Sequence, residues 1–118
     1  MSYSNGFVAV YTFPDFTFDT ADEVFIKGPA GMDGRLVSVS TTITVATTVA
    51  VTLITVGSQA DGDAYGTHTV PIGVAEVSQN VLVRGVTDRI PADGLVTVNG
   101  NGGATAGDGN IHVMIEWS

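Results

Sequence analysis

Apolar and polar residues alternate along much of this chain, which is the pattern of β-strands that bury one face. In residues 35–45, every second side chain points to one predicted buried face: Val37, Val39, Thr41, Ile43 and Val45. The same alternation in residues 110–117 predicts a second set of buried side chains: Ile111, Val113, Ile115 and Trp117. Further strands are predicted at residues 7–13, 23–27, 49–56, 67–72, 81–86 and 95–99. No stretch has the period of an amphipathic helix.

These strands predict one all-β domain, residues 1–118, with about eight strands at the spacing of a sandwich or barrel. Since no helix is available for parallel crossovers, the sheets are expected to be antiparallel. We favour a jelly-roll-like β-sandwich over an immunoglobulin-like one, because the chain lacks the cysteine pair and central Trp of the latter. Residues 49–56 are expected to pair with residues 35–45, and residues 100–109 to form a glycine-rich loop.

Charge narrows the partners that this domain can bind. The sequence has 12 acidic residues against four Lys and Arg, for a net charge of -8. Such a balance disfavours direct contact with nucleic-acid phosphates and with anionic membranes. Only 14% of the residues are charged, so Thr, Ser, Asn and Gly must cover much of the surface. The absence of cysteine excludes disulfides and thiolate catalysis and fits folding in a reducing cytosol.

The sequence pattern predicts neither a signal peptide at the N-terminus nor a membrane helix. The first residues lack the positive and apolar regions of a signal peptide. The most apolar stretch, residues 36–56, is interrupted throughout by Ser and Thr, so it is not expected to form a membrane helix.

The residue types and their spacing give little support for a metal-binding site. The two histidines, His68 and His112, are expected to be surface residues, since a zinc site needs three or four converging ligands. Asp61 and Asp63 resemble part of a calcium loop, but the Glu that completes such a loop and the flanking helices are missing. We therefore expect no metal and no cofactor, and keep Asp61 and Asp63 as the candidate calcium ligands.

Catalytic motifs are also incomplete. No Gly-x-Ser-x-Gly elbow is present, and Ser38 and Ser40 lie within a predicted strand. The glycines of residues 100–109 lack the Lys-Ser/Thr ending and the helix of a phosphate loop. Carboxylate pairs for glycoside hydrolysis cannot be identified from spacing alone. We expect that the chain is not an enzyme.

Two stretches carry a resemblance to a known family. One combines RLVSVS at residues 35–40 with VTLITVGSQADGDAY at residues 51–65. The other combines IPADGLVTVN at residues 90–99 with GGATAGDGNIHVMIEW at residues 102–117. Together they resemble the small β-sandwich head decoration (cement) proteins of tailed bacteriophages.

The resemblance implies a non-enzymatic, trimeric virion protein, made in the host cytoplasm. Such a protein binds the major capsid protein on the capsid exterior and stabilises the assembled head by mass action. Under this interpretation, residues 1–20 form either an N-terminal arm that reaches a neighbouring subunit by strand addition or an ordinary first strand. The candidate contact residues are aromatic: Phe7, Tyr11, Phe13, Phe16 and Phe18.

Three alternatives remain open. The chain could be another virion component, such as a head fibre or tail protein. It could be a carbohydrate- or calcium-binding β-sandwich module, for which the aromatic residues would supply stacking surfaces, although their alternation places most of them in the core. A small hydrolase is the alternative with no supporting sequence feature.

Overall fold

The strands of this protein pair across long stretches of sequence. The computed structural model describes residues 6–18, 21–49, 51–70, 78–79, 83–85, 87 and 89–118. Its strands are β1 (Phe7–Thr17), β2 (Ala21–Lys27), β3 (Gly34–Val45), β4 (Thr52–Gly57), β5 (Gly66–Val70), β6 (Ser78–Gln79), β7 (Val83–Arg84), β8 (Leu95–Asn101) and β9 (Asp108–Trp117). Within the residues described, no helix has the length and apolar character needed to cross a membrane.

Two antiparallel sheets pack face to face. The first sheet has the order β1-β9-β3-β6, and the second has the order β2-β8-β4-β5-β7. Strands β1 to β4 pair in reverse order with β9, β8, β6 and β5, so the chain is folded back on itself like one long hairpin. The predicted all-β, antiparallel β-sandwich is confirmed, with seven strands of at least five residues and two of two residues in the described part.

Alternate side chains of both sheets meet in one core, as expected for a sandwich. The largest fully buried side chains are Trp117, Phe18, Leu36, Ile43, Ile54, Ile90, Ile111, Ile115, His68, Val39, Val56 and Val70. The predicted buried face of β9 is confirmed for all four of its positions. Each apolar side chain of this kind contributes about 1.5–3 kcal/mol when fully buried.

Two register shifts change the predicted face of β3. They lie between Leu36 and Ser38 and between Ile43 and Val45, where β3 pairs with β9. Because a bulge inserts one extra residue and reverses the phase beyond it, Leu36 takes the buried position that was predicted for Val37. Val45 is 49% exposed for the same reason.

The predicted pairing of residues 49–56 with residues 35–45 is wrong. Strand β4 begins only at Thr52 and lies in the second sheet, whereas β3 lies in the first. The connection therefore crosses the end of the sandwich instead of forming a tight hairpin. Val49 in this connection is 78% exposed and has a φ of 73°, an unusual backbone conformation for a β-branched residue.

The glycine-rich stretch at residues 100–109 is only partly a loop, because its two ends belong to β8 and β9. Its glycines make room for aromatic side chains. A Cβ atom on Gly100 would lie 2.6 Å from the Phe16 ring, and one on Gly109 would lie 3.1 Å from the Phe18 ring. Composition pointed to a loop, whereas part of the glycine content serves close packing in strands.

Residues 67–72 were predicted as an edge strand, but β5 has β4 on one side and the two-residue β7 on the other. Of the strand predicted at residues 81–86, only β7 falls within the described residues; residues 71–72, 81–82 and 86 lie outside them. At the N-terminal side, residues 7–17 form an ordinary first strand paired with β9.

Candidate functional site

The outer face of the first sheet carries short side chains without charge. The register of β1, β9 and β3 places these side chains on the side opposite the core: Val8, Val10, Thr12, Asn110, His112, Met114, Ser38, Ser40, Thr42 and Thr44. Among the described residues of this face, the charged ones lie at its ends, where Arg35 pairs with Glu116 and Val45 pairs with Asp108. The result is a broad, uncharged surface on a strongly acidic protein, and we call it the uncharged face.

His112 ties the three strands of the uncharged face together. Its Nδ1 lies 3.1 Å from the Thr12 hydroxyl of β1, and its Nε2 lies 3.3 Å from the Thr42 hydroxyl of β3. In either neutral tautomer, one ring nitrogen donates to one hydroxyl and the other accepts from the second hydroxyl. The ring is therefore held by hydrogen bonds to both neighbouring strands.

Strand β1 forms the edge of this face and exposes apolar side chains. Phe7 is 45% exposed, Val8 51% and Val10 54%. Among the described residues, β1 has β9 as a neighbour on one side and no strand on the other. An edge strand that is long, uncharged and apolar is a template for pairing with another chain.

The predicted aromatic contact residues differ in their exposure. Phe7 is exposed, and Tyr11 and Phe13 are partly buried against the core. Tyr11 also accepts a hydrogen bond of 2.9 Å from the Trp117 indole through its hydroxyl oxygen. Phe16 and Phe18 are 4% and 0% exposed, so the prediction that they contact a partner is wrong.

Sequence reasoning missed Val8 and Val10 as surface residues of the edge. The signal was present, since residues 7–13 are apolar or uncharged in both phases of the alternation. A strand with one face in solvent is expected to have a polar phase. The outward-facing side chains of residues 7–13 are largely apolar. They form a second apolar surface besides the core, and its exposure to water is unfavourable.

Asp61 and Asp63 lie together in the loop between β4 and β5. The backbone carbonyl of Asp61 accepts hydrogen bonds from the N–H groups of Ser58 and Ala64, which fixes the turn. A hydrogen bond and the like charge of Asp61 raise the pKa of Asp63 above its usual range. Among the described residues, no cluster of three or more His, Cys, Asp or Glu side chains could hold a metal.

The expectation that His68 is a surface residue is wrong. Its side chain is fully buried in β5, and its Nε2 lies 3.0 Å from the Thr41 hydroxyl of β3. The histidine therefore links the two sheets through the core. Its position follows from the inward phase of Gly66, His68 and Val70 in β5.

The outer face of the second sheet contains an open depression of about 550 Å³ that is lined by Asp22, Glu23 and Asn99, with Ala21 and Gly100. Glu23 and Asn99 are directly paired between β2 and β8. Phe25 lies two residues further along β2 on the same side and is 49% exposed. This surface combines an aromatic ring with hydrogen-bonding side chains.

Comparison of the chain with protein families, curated proteins and solved structures finds no match in any of the three.

Proposed function

We propose that this chain is a non-enzymatic structural protein that binds a repeated protein surface, and that this surface is the exterior of a tailed-phage capsid built from the major capsid protein. The observation that carries the first part is the uncharged face. The second part rests on the resemblance of residues 35–65 and 90–117 to head decoration proteins.

An uncharged face suits a docking role because it avoids the cost of desolvating charges. The centre of a protein–protein interface is depleted in charged residues relative to the rest of the surface. The twelve acidic residues of this chain are spread over other parts of the sequence or the ends of this face. Their repulsion keeps unbound copies apart in solution, whereas the uncharged face is available to a partner.

We also propose that the sandwich is a jelly roll. Without the two-residue β7, its sheets have the orders β1-β9-β3-β6 and β2-β8-β4-β5. This nested pairing of the first four strands with the last ones matches the double-sheet jelly roll, a fold found in viral capsid proteins and in lectins. The fold is therefore compatible with capsid binding and also with the binding of a glycan.

Co-sedimentation with empty phage heads assembled from the major capsid protein tests the capsid proposal. The wild-type chain is expected to pellet with heads and to saturate at a fixed copy number. Ser40→Glu places a charge at the centre of the uncharged face and is expected to weaken binding by about tenfold or more. The matched control, Thr69→Glu, changes an exposed residue of the second sheet and is expected to bind like wild type.

Two results contradict this proposal. A wild-type chain that stays in the supernatant at all concentrations has no affinity for the capsid. Equal binding of the Ser40→Glu variant and wild type removes the role of the uncharged face. Pelleting with purified tails instead of heads supports the alternative of another virion component.

A second candidate function is glycan binding on the outer face of the second sheet. The supporting observation is the exposed Phe25 beside the depression with Glu23 and Asn99. An aromatic ring can stack on the apolar side of a sugar, while the polar groups fix its hydroxyls.

Screening on a glycan array tests this second candidate. A bound glycan is expected to lose affinity with Phe25→Ala, whereas Phe7→Ala, which removes an exposed Phe from the first sheet, is expected to have no effect. Absence of binding to all glycans on the array, or equal binding by the two variants, contradicts it.

A further inference from the structure

The edge of β1 that no described strand covers presents a run of seven residues, Phe7 to Phe13, without any charged side chain. The run ends at Pro14, which has no N–H to donate to a neighbouring strand. A register shift between Phe13 and Phe16 and the φ of 58° at Asp15 then bend the strand. The part of the edge that can accept another strand is therefore residues 7–13.

The sequence of this run, FVAVYTF, is nearly a palindrome about Val10. Phe stands at both ends, and Val8 and Thr12, which have nearly the same shape, stand at equal distances from the centre. A two-fold interface uses the same surface on both copies and must therefore be self-complementary. The run meets this requirement when it pairs antiparallel with itself.

We propose that two copies of this chain associate through β1, antiparallel and centred on Val10. Phe7 of one copy then lies opposite Phe13 of the second copy, Val8 lies opposite Thr12, and Val10 lies opposite Val10. The exposed Phe7 gains an aromatic cross-strand partner, and Val8 and Val10 gain apolar or near-isosteric ones. Main-chain hydrogen bonds of the free edge are satisfied at the same time.

Charge permits a second copy as the occupant of the β1 edge. Each copy carries a net charge of -8, so self-association is opposed wherever acidic residues meet. Within residues 7–13 no acidic side chain is present; among the described residues, Asp15 lies beyond one end of the run and Glu116 pairs with Val8 near the other. The edge of β1 is thus a place where two such acidic molecules can approach closely.

The pairing has a geometric consequence for the uncharged face. Residues paired across an antiparallel junction point to the same side, and the register keeps even-numbered residues opposite even-numbered ones. The first sheets of the two copies form one continuous sheet, and their uncharged faces lie side by side. This inference goes beyond the proposed capsid binding, and it predicts a dimer where the resemblance implies a trimer.

Sedimentation equilibrium of the full chain without capsids tests the inference independently of capsid binding. Wild type is expected to show a monomer–dimer equilibrium. Val10→Lys opposes two ammonium groups at the two-fold axis and is expected to raise the dissociation constant by about tenfold or more. The control Val45→Lys alters a similarly exposed valine at the end of β3 and is expected to dimerise like wild type.

Disulfide cross-linking tests the register, since the natural chain contains no cysteine. Val10→Cys is expected to form a covalent dimer on mild oxidation. Val8→Cys and Thr12→Cys are expected to cross-link when mixed and not when oxidised separately. In the separate cases the two thiol positions are four residues apart, or about 13 Å, beyond the reach of a disulfide.

A mass of one chain at concentrations up to the millimolar range overturns the inference, and so does a trimer mass. Cross-linking of the Val8→Cys variant with itself, or a dimer of the Val10→Lys variant as strong as that of wild type, overturns the proposed register. Circular dichroism of each variant confirms that the comparison is made between folded chains.

Discussion

Single glycines determine where the largest core side chain can lie. Trp117 packs against the backbone of Gly28 and Gly34, and a Cβ atom on Gly34 would lie 2.5 Å from Cζ3 of its ring. On Gly28, a Cβ would lie 2.6 Å from Cζ2. The indole N–H donates to the Tyr11 hydroxyl, so the ring cannot rotate away without losing that bond. The position of the C-terminal strand thus depends on two residues that have no side chain.

Gly28→Ala is therefore expected to destabilise the protein by about 1–3 kcal/mol, the usual cost of overpacking a core. Urea unfolding measures this change. Gly62→Ala is the matched control, because the nearest atom to its added Cβ is 3.6 Å away. A Gly28→Ala variant as stable as Gly62→Ala contradicts the packing described for Trp117.

Asp33 is expected to make the stability of the folded protein depend on pH, and the direction of its pKa shift sets the direction of that dependence. Arg89 donates a hydrogen bond of 2.9 Å to its carboxylate, and the charge of Arg89 and the Ala92 N–H add to this effect. Together they hold the pKa of Asp33 below its ordinary value. The stabilisation is fully present above the pKa of Asp33 in the unfolded chain and is lost as the pH falls through the depressed pKa of the folded state.

Asp33→Asn is expected to be less stable than wild type at neutral pH, and the difference is expected to shrink as the pH falls through the titration of Asp33. The effect is small because the pair is exposed to solvent. Urea unfolding from neutral to acid pH measures it, and 1 M NaCl is expected to reduce it by screening. A stability difference that is the same at all pH values contradicts the assignment.

The bulge in β3 is held by a side chain from the other sheet. Arg84 of β7 donates hydrogen bonds to the carbonyl oxygens of Leu36 and Val37, the second at 3.3 Å. Both carbonyls lie at the register shift between Leu36 and Ser38. A guanidinium group can reach two of them at once because its N–H groups form a fixed fork.

Arg84→Ala is expected to lower the free energy of unfolding by about 1 kcal/mol, below the ~1.5–3 kcal/mol usual for hydrogen bonds of a charged group, because Arg84 is exposed to solvent. Arg84→Lys is expected to recover only part of this, since an ammonium group lacks the fork. Arg35→Ala, an exposed arginine of β3, serves as the control. If the two alanine variants have equal stability, Arg84 does not support the bulge.

The sequence alone predicted the elements whose alternating pattern is local. It did not predict the features that depend on which strands pair with each other. The buried face of β9 was predicted completely because its alternation is uninterrupted from Ile111 to Trp117. The bulges of β3 and the placement of β4 in the second sheet depend on pairing across the chain, which alternation does not encode. His68 was misplaced for the same reason, since its burial depends on Thr41 in the opposite sheet.

The candidate site was predicted in part. Aromatic residues near the N-terminus pointed to the strand that exposes Phe7, but the choice of Phe16 and Phe18 ignored that the bend after Phe13 turns them into the core. The exposed Val8 and Val10 become visible only when β1 is known to lie at a sheet edge. Edge position is a property of the whole strand order and not of a seven-residue pattern.

At the scale of the molecule, long-range repulsion between acidic copies opposes the association that the β1 edge favours. The paired run is uncharged, so it contains no attractive ion pairs that salt could weaken. Salt does screen the repulsion between the two copies, each with a net charge of -8. Raising NaCl from low to moderate concentration is therefore expected to tighten the dimer of the wild-type chain.

Sedimentation equilibrium across a salt series measures this effect. The same series on Val10→Lys distinguishes screening of the net charges from screening of repulsion at the β1 contact itself. In that variant salt also screens the repulsion between the two introduced lysines, so its dissociation constant is expected to fall more steeply with salt than that of wild type. A wild-type dimer that dissociates as salt rises would show that ion pairs hold it together. The contact would then lie among the charged residues elsewhere on the surface and not along β1.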